Sequence, residues 1–191
     1  MTTDAVVDLA PRAVLVIGVQ GAGKSAVGRR LAERCRRGAF VEGDVLWKMV
    51  VGGRIDMAAA PDAEAERQLA LRYAHGALLA TSFVRAGFVA VHADNMYGPA
   101  VAEQLAGIAV PRSLVVLRPR PDVVERRERE RGTDAYAPWA APLGSRLAAI
   151  EQFDGWLAES PAVGLWLDTS DLTVDETVER ILERWPETFV D

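Results

Sequence analysis

Short apolar stretches alternate along this chain with longer amphipathic ones. Residues 13–17, Ala-Val-Leu-Val-Ile, form an unbroken apolar run suited to a strand buried on both faces. Residues 26–37 follow with Val27, Leu31 and Cys35 at helical spacing and arginines between them, and Gly38 is the expected left-handed cap. The pattern then predicts a strand over 39–42, a helix over 45–51, and a loop through Pro61. Asp62 is placed to cap a long helix over 63–86, with Gly76 as a candidate bend and Gly87 as the stop. Strands are expected at 88–92, 113–117 and 163–167, and helices from Pro99, over 147–157 and over 174–185. Residues 118–131 are densely charged, and 132–145, with Pro138 and Pro142, read as a loop. Residues 1–11 read as a frayed lead-in. The alternation of strands and helices predicts an α/β fold, a parallel sheet with helices on both faces.

Composition narrows the classes. A length of 191 residues suits a single domain, with 118–145 as a small lid. The net charge of -5 argues against a general affinity for nucleic acid or anionic membrane. No apolar run approaches the ~20 residues that cross a bilayer, and the N-terminus lacks a signal-peptide pattern, so a cytoplasmic location is expected. Two histidines and one cysteine are too few for the usual transition-metal sites, and Cys35 fits a small core residue.

The strongest local signal is 18–25, Gly-Val-Gln-Gly-Ala-Gly-Lys-Ser, which reads as G-x-x-x-x-G-K-[ST] between a strand and a helix. Gly18, Gly21 and Gly23 let successive N–H groups turn inward, and the helix N-terminus adds partial positive charge, so polyphosphate is the natural guest. Gln20, Ala22 and Ala26 complete the expected ATP-contacting set; Lys24 reaches the β and γ phosphates, and Ser25 ligates the accompanying Mg²⁺.

In an open parallel sheet, ligands collect beyond the carboxyl ends of the strands. Asp44 follows the second strand and is the expected general base, besides being a candidate N-cap for a helix from Val45. Asp94 follows the third strand and is expected at Mg²⁺ or the acceptor. Arg54, Asn95 and Tyr97 are further acceptor-side candidates, with residues 44–61 as an acceptor-binding segment. Arg127 and Arg131 stand four apart on one helical face, a repulsive arrangement that a triphosphate would relieve, which suits a catalytic lid.

On these motifs the chain resembles the P-loop kinases that include adenylate, shikimate and gluconate kinases, and more closely the chloramphenicol phosphotransferase-like group, with the capuramycin phosphotransferases among its broader relatives. Gly43-Asp44 matches that group's aspartate after the second strand, Asp94 with Gly98 its segment after the third, and Arg127-Glu128 with Arg131-Gly132 its R-E-x-x-R-G lid. Asp168-Thr169-Ser170 resembles the loop near adenine, which places Thr169 and Ser170 beside the base. Ala93 departs from the paired aspartates of the chloramphenicol enzymes, and Thr133-Asp134 from a basic lid continuation. The resemblance implies a five-stranded parallel sheet in the order 2-3-1-4-5, ATP with Mg²⁺, and phosphorylation of a small-molecule hydroxyl, with an antibiotic as the candidate acceptor. The alternatives are a metabolic sugar or nucleoside kinase and a nucleotide-binding regulator without turnover.

Overall fold

The structure, a computed structural model, describes residues 5–133 and 135–191. Asp134 and the first four residues of the lead-in lie outside it. Strand β1 (Ala13–Ile17) is buried at every position, as a central parallel strand must be. Helix α1 (Lys24–Arg34) leads to β2 (Gly38–Glu42), α2 (Gly43–Lys48) and the long α3 (Ala63–Arg85). Then come β3 (Val89–Asp94), α4 (Pro99–Gly107), β4 (Arg112–Leu117) and α5 (Pro121–Arg131). Helices α6 (Ala137–Leu143) and α7 (Arg146–Ala158) precede β5 (Leu165–Leu167), and α8 (Val174–Glu183) precedes a short 3₁₀ turn and β6 (Phe189–Val190).

The five parallel strands take the order β2-β3-β1-β4-β5, as the resemblance implies. Strand β6 adds an antiparallel pairing that the sequence does not announce, meeting β4 at Arg112 and Ser113 while β5 pairs with 115–117. Alternation along β3 decides what the site receives. Val91 and Ala93 turn to Gly28 of α1, whereas His92 turns to Gly76 of α3. Asp94, two residues on, shares the α3 side, and Arg72 of α3 meets it there.

Several local expectations are corrected. Gly38 is no left-handed cap: α1 ends at Arg34, Cys35 is extended, and Gly38 opens β2. Glycine is needed there because a Cβ would lie 1.8 Å from the Ala32 carbonyl oxygen. Asp44 caps nothing, because α2 already begins at Gly43 and puts Asp44 in its first turn, where its charge suits the helix N-terminus. Part of the lead-in is docked: Val7 N–H donates to the Arg34 carbonyl at 2.7 Å, and Arg36 N–H to the Val7 carbonyl at 2.9 Å. The expected loop 132–145 contains α6, since Pro138 sits in its first turn, where proline is tolerated, and Pro142 near its end. Asp62 does cap α3, its Oδ1 accepting from Glu64 and Ala65 N–H. No helix among the described residues is long and apolar enough to cross a membrane.

Candidate active site

Beyond the carboxyl end of β1 the chain turns through 18–23 into α1, and two glycines adopt left-handed backbone, Gly21 at φ 82° and Gly23 at φ 96°. Gly18 serves another purpose: a Cβ there would lie 2.4 Å from the Leu117 carbonyl oxygen, so glycine lets the loop leave β1 against β4. Ala22 is buried behind the loop, its N–H on the Val19 carbonyl at 3.1 Å.

The loop walls a pocket of about 270 Å³ that gathers Gln20, Gly21, Gly23, Lys24, Ser25 and Ala26 with Asp44, Asp94, Asn95 and Arg131. Glu42, Arg72 and Ala93 complete the lining. Lys24 is 8% exposed and donates to the Val19 carbonyl at 2.8 Å. Burial brings its ammonium down to about 8 against the attraction of Asp94 and Asp44. A polyanion fits this wall: the N-terminus of α1 and a buried lysine whose ammonium bonds only a backbone carbonyl.

Opposite the loop, Arg72 links two carboxylates. Its Nε donates to Asp94 Oδ2 at 3.0 Å, its Nη2 also bonds Asp94 Oδ1, and the same Nη2 reaches Asp44 Oδ1 at 3.1 Å. Asp94 Oδ1 further accepts from Asn95 N–H at 2.7 Å, and His92 Nε2 lies 3.5 Å from Oδ2. Burial alone would raise the Asp94 carboxyl, but His92 and Arg72 outweigh it and hold it below its ordinary value. Three protein donors thus bond Asp94, two of them from Arg72, which leaves little of this carboxylate for the metal ion expected there. Two glycines make room for this cluster. A Cβ at Gly43 would lie 2.2 Å from Asp94 Oδ2, and one at Gly76 would lie 2.1 Å from His92 Cε1. Gly76 therefore accommodates a ring. Asp44 is half-exposed and, among the described residues, takes only the Arg72 hydrogen bond, so its second oxygen remains free to accept.

A second cavity, of about 610 Å³, shares Gln20, Asp44, Arg72 and Asn95 with the first. Its other walls are largely apolar: Trp47, Met57, Pro61 and Leu69 on one side, and Tyr73, Tyr97, Tyr136, Trp139, Phe153 and Trp156 around the rest. The segment 44–61 thus contributes to it, as does Tyr97. Arg54 does not: it is turned outward, its Nε 3.7 Å from Asp56, and it lines neither cavity.

The lid arginines separate. Arg131 lines the phosphate pocket, whereas Arg127 Nη2 donates to the Thr169 carbonyl at 2.8 Å, in the loop beyond β5. Burial lowers the Arg127 pKa, and Arg131 adds to that. Ser170 is engaged within its own turn, its hydroxyl and N–H on Asp168 Oδ1 and its oxygen taking Arg120 N–H at 2.8 Å. Thr169 is buried, with Oγ1 unpartnered. Neither residue lines the phosphate pocket, and the Ser170 hydroxyl is spent on the turn. Glu128, the acidic residue of the R-E-x-x-R-G match, is buried against Gly21 and accepts from Thr133 Oγ1 at 2.9 Å. Tyr136 is buried too, its hydroxyl on the Gln20 carbonyl at 2.7 Å. Glu128 and Tyr136 therefore tie residues 118–145, the expected lid, to the phosphate loop at two points.

A parallel sheet in this order, with a phosphate loop after its central strand, defines the P-loop kinase fold. The sequence profile of the family described as AAA domain matches residues 14–155, and the chain belongs to that family. Among solved structures, it is similar to a sugar kinase from Janibacter sp. HTCC2649, with a TM-score of 0.63 and 18% identity over 92% of this chain and 95% of that one. The shikimate kinase of Acinetobacter baumannii in complex with shikimate gives 0.63 and 17% over 91% and 92%. The APS kinase CysC of Mycobacterium tuberculosis, in complex with AMPPNP and APS, gives 0.56 and 20% over 93% and 98%. At such identities the likeness is one of fold. No curated protein matches the chain in sequence.

Proposed function

We propose that this protein is a phosphotransferase that moves the γ-phosphoryl group of ATP to a hydroxyl of a small molecule. The observation that carries the reading is the wall the two cavities share: Asp44 lines both the phosphate pocket and a neighbouring compartment large enough for an acceptor. In the transfer, the acceptor oxygen bonds to the γ phosphorus, the bond from that phosphorus to the β–γ bridging oxygen breaks, and ADP leaves. The hydroxyl proton passes to the free oxygen of Asp44. Lys24 and Arg131 face the phosphates and offset the charge of the transferring group. Mg²⁺ supplies further charge neutralisation when bound with the nucleotide, and the Ser25 hydroxyl and Glu42 carboxylate on the pocket wall would hold it. Asp94 is assigned to positioning, since it fixes Arg72 and through it Asp44. Arg127 supports the nucleotide side through the Thr169 loop, and residues 118–145 act as the lid.

The acceptor we favour is an antibiotic carrying a hydroxyl, such as a nucleoside antibiotic or a phenicol; a metabolic sugar or nucleoside meets the phosphate chemistry equally well. The test is an ATP-consumption screen across nucleoside antibiotics, phenicols, aminoglycosides, sugars and nucleosides, with product masses recorded. Acceptor-dependent ADP and an acceptor gaining one phosphoryl group are expected. Asp44→Asn should bind Mg·AMPPNP nearly as well and lose roughly 100-fold or more in kcat. Nucleotide binding without acceptor-dependent ADP across the panel would favour a regulatory nucleotide-binding role.

A further inference from the structure

The second cavity resolves the acceptor more finely than the phosphate chemistry does. Phe153 lines it, with four rings edge-on around Phe153: Tyr97 at 5.5 Å, Tyr136 at 5.5 Å, Trp139 at 5.2 Å and Trp156 at 4.7 Å between centroids. Such an array presents ring faces and edges to whatever enters.

Four polar side-chain groups of these walls are committed elsewhere, which leaves the Tyr97 hydroxyl, the Trp139 and Trp156 indole N–H groups, the Asn95 Oδ1 and the second oxygen of Asp44 as the few polar atoms facing an otherwise ring-lined space. Tyr73 OH donates to the Asn95 carbonyl at 2.7 Å, and Tyr136 OH to the Gln20 carbonyl at 2.7 Å. Trp47 Nε1 donates to Asp56 at 2.8 Å, and Asn95 Nδ2 to Gln20 Oε1 at 2.9 Å. A polyol placed here would lose water from many hydroxyls and find few partners, an expensive transfer. Charge disfavours acids as well. Among the described residues Arg72 is the only cationic side chain lining this cavity, and it is bonded to Asp94 and Asp44, so the cluster carries a net negative charge. A carboxylate would meet repulsion and no free cation.

We infer that the acceptor, on the kinase reading above, is an uncharged alcohol whose body is aromatic or otherwise flat and apolar, the ring lying against the Phe153 array and the hydroxyl directed to Asp44. Polyols and sugar acids fit the same walls less well, although the fold is shared with a sugar kinase and a shikimate kinase.

The test measures binding and turnover separately. With saturating Mg·AMPPNP, binding of 2-(2-naphthyl)ethanol, sorbitol, gluconate and shikimate to the wild-type protein is compared by calorimetry and ligand-observed NMR. The naphthyl alcohol should bind at least about tenfold tighter than each of the others. Trp156→Ala, a change at a partly exposed position, should weaken it by about threefold to tenfold and leave AMPPNP binding unchanged. Failure of the naphthyl alcohol to bind, or equal binding of sorbitol, gluconate or shikimate, overturns the inference. ADP formation with ATP is then scored for each probe. Tight naphthyl binding across a panel that yields no acceptor-dependent ADP supports the cavity assignment and counts against the kinase reading; ADP formed only with a polyol or an acid does the reverse.

Discussion

The phosphate pocket and the aromatic cavity share four side chains yet are built on opposite principles. The first is made of backbone bent at Gly21 and Gly23, with charge supplied by Lys24 and Arg131. The second is made of rings drawn from α2, α3, the segment after β3, the lid and α7. A backbone cradle recognises a group common to many substrates, whereas a wall of side chains changes with single residues. The nucleotide end of such a protein is therefore fixed by its fold, and its acceptor end is individual.

The boundary between them is the place to break that contrast most severely. Arg72→Met removes the cation from between two carboxylates and leaves Asp94 buried without its cationic partner. The loss should be about 3–5 kcal/mol of stability, measured by urea unfolding, with failure to fold as the extreme case. A loss below about 1 kcal/mol would show that Asp94 is held by His92 and Asn95 without Arg72.

Lys24→Ala acts on the cradle alone. Turnover should fall roughly 100- to 1000-fold with the fold retained, as when a preorganised donor to developing charge is removed. Near-normal turnover would contradict the assignment. The two lid arginines should divide along the same line. Arg131→Ala should lower kcat by about tenfold with little change in nucleotide affinity, while Arg127→Ala, acting through the Thr169 loop, should weaken Mg·AMPPNP more than it lowers kcat. Identical kinetic signatures would show that the arginines work as one unit.

The smallest effect concerns stability and runs in the opposite direction. Lys24 has its pKa lowered from 10.5 to about 8 by burial. Between those values the unfolded chain holds a proton that the folded chain has released, so stability from this group rises with pH through the window. Below about 8 the buried charge opposes folding in full. Lys24→Met should therefore stabilise the ligand-free protein at pH 7 by about 1 kcal/mol, after loss of the Val19 hydrogen bond is offset, and the gain should shrink toward pH 10. Unfolding of both proteins at the two pH values checks the sign.

Much of the cradle is legible in the sequence alone, because 18–25 is contiguous and its glycines have local reasons. The parallel layout is legible for a similar reason: buried strands write themselves as apolar runs. Arg72 is not. It is a single arginine among Leu69, Ala70, Leu71 and Tyr73 of a long helix, with no local motif around it, and only the register of α3 against β3 brings it between Asp44 and Asp94. Gly76 reads as a bend for want of its partner, His92, which lies far along the chain on another element. Strand β6 is two residues long, too short to show a period, and α6 is hidden by prolines that its first turn and its end accommodate. Arg54 and Arg127 suit a phosphate or acceptor by chemistry alone, and chemistry does not say which way a side chain turns.

The position of β1 has a kinetic consequence. Its neighbours are β3 and β4, so Ala13 must find Ala90 on one side and Arg112 on the other. Closing such long loops costs entropy before any pairing repays it, and sheets of distant parallel strands are slow to assemble. During synthesis, the segment that will grip phosphate emerges early and waits, its apolar strand unpaired, until residues through Leu117 have been made. The most local signal in the sequence thus belongs to an element that cannot fold locally, and the interval of waiting is when this chain is most exposed to misassembly.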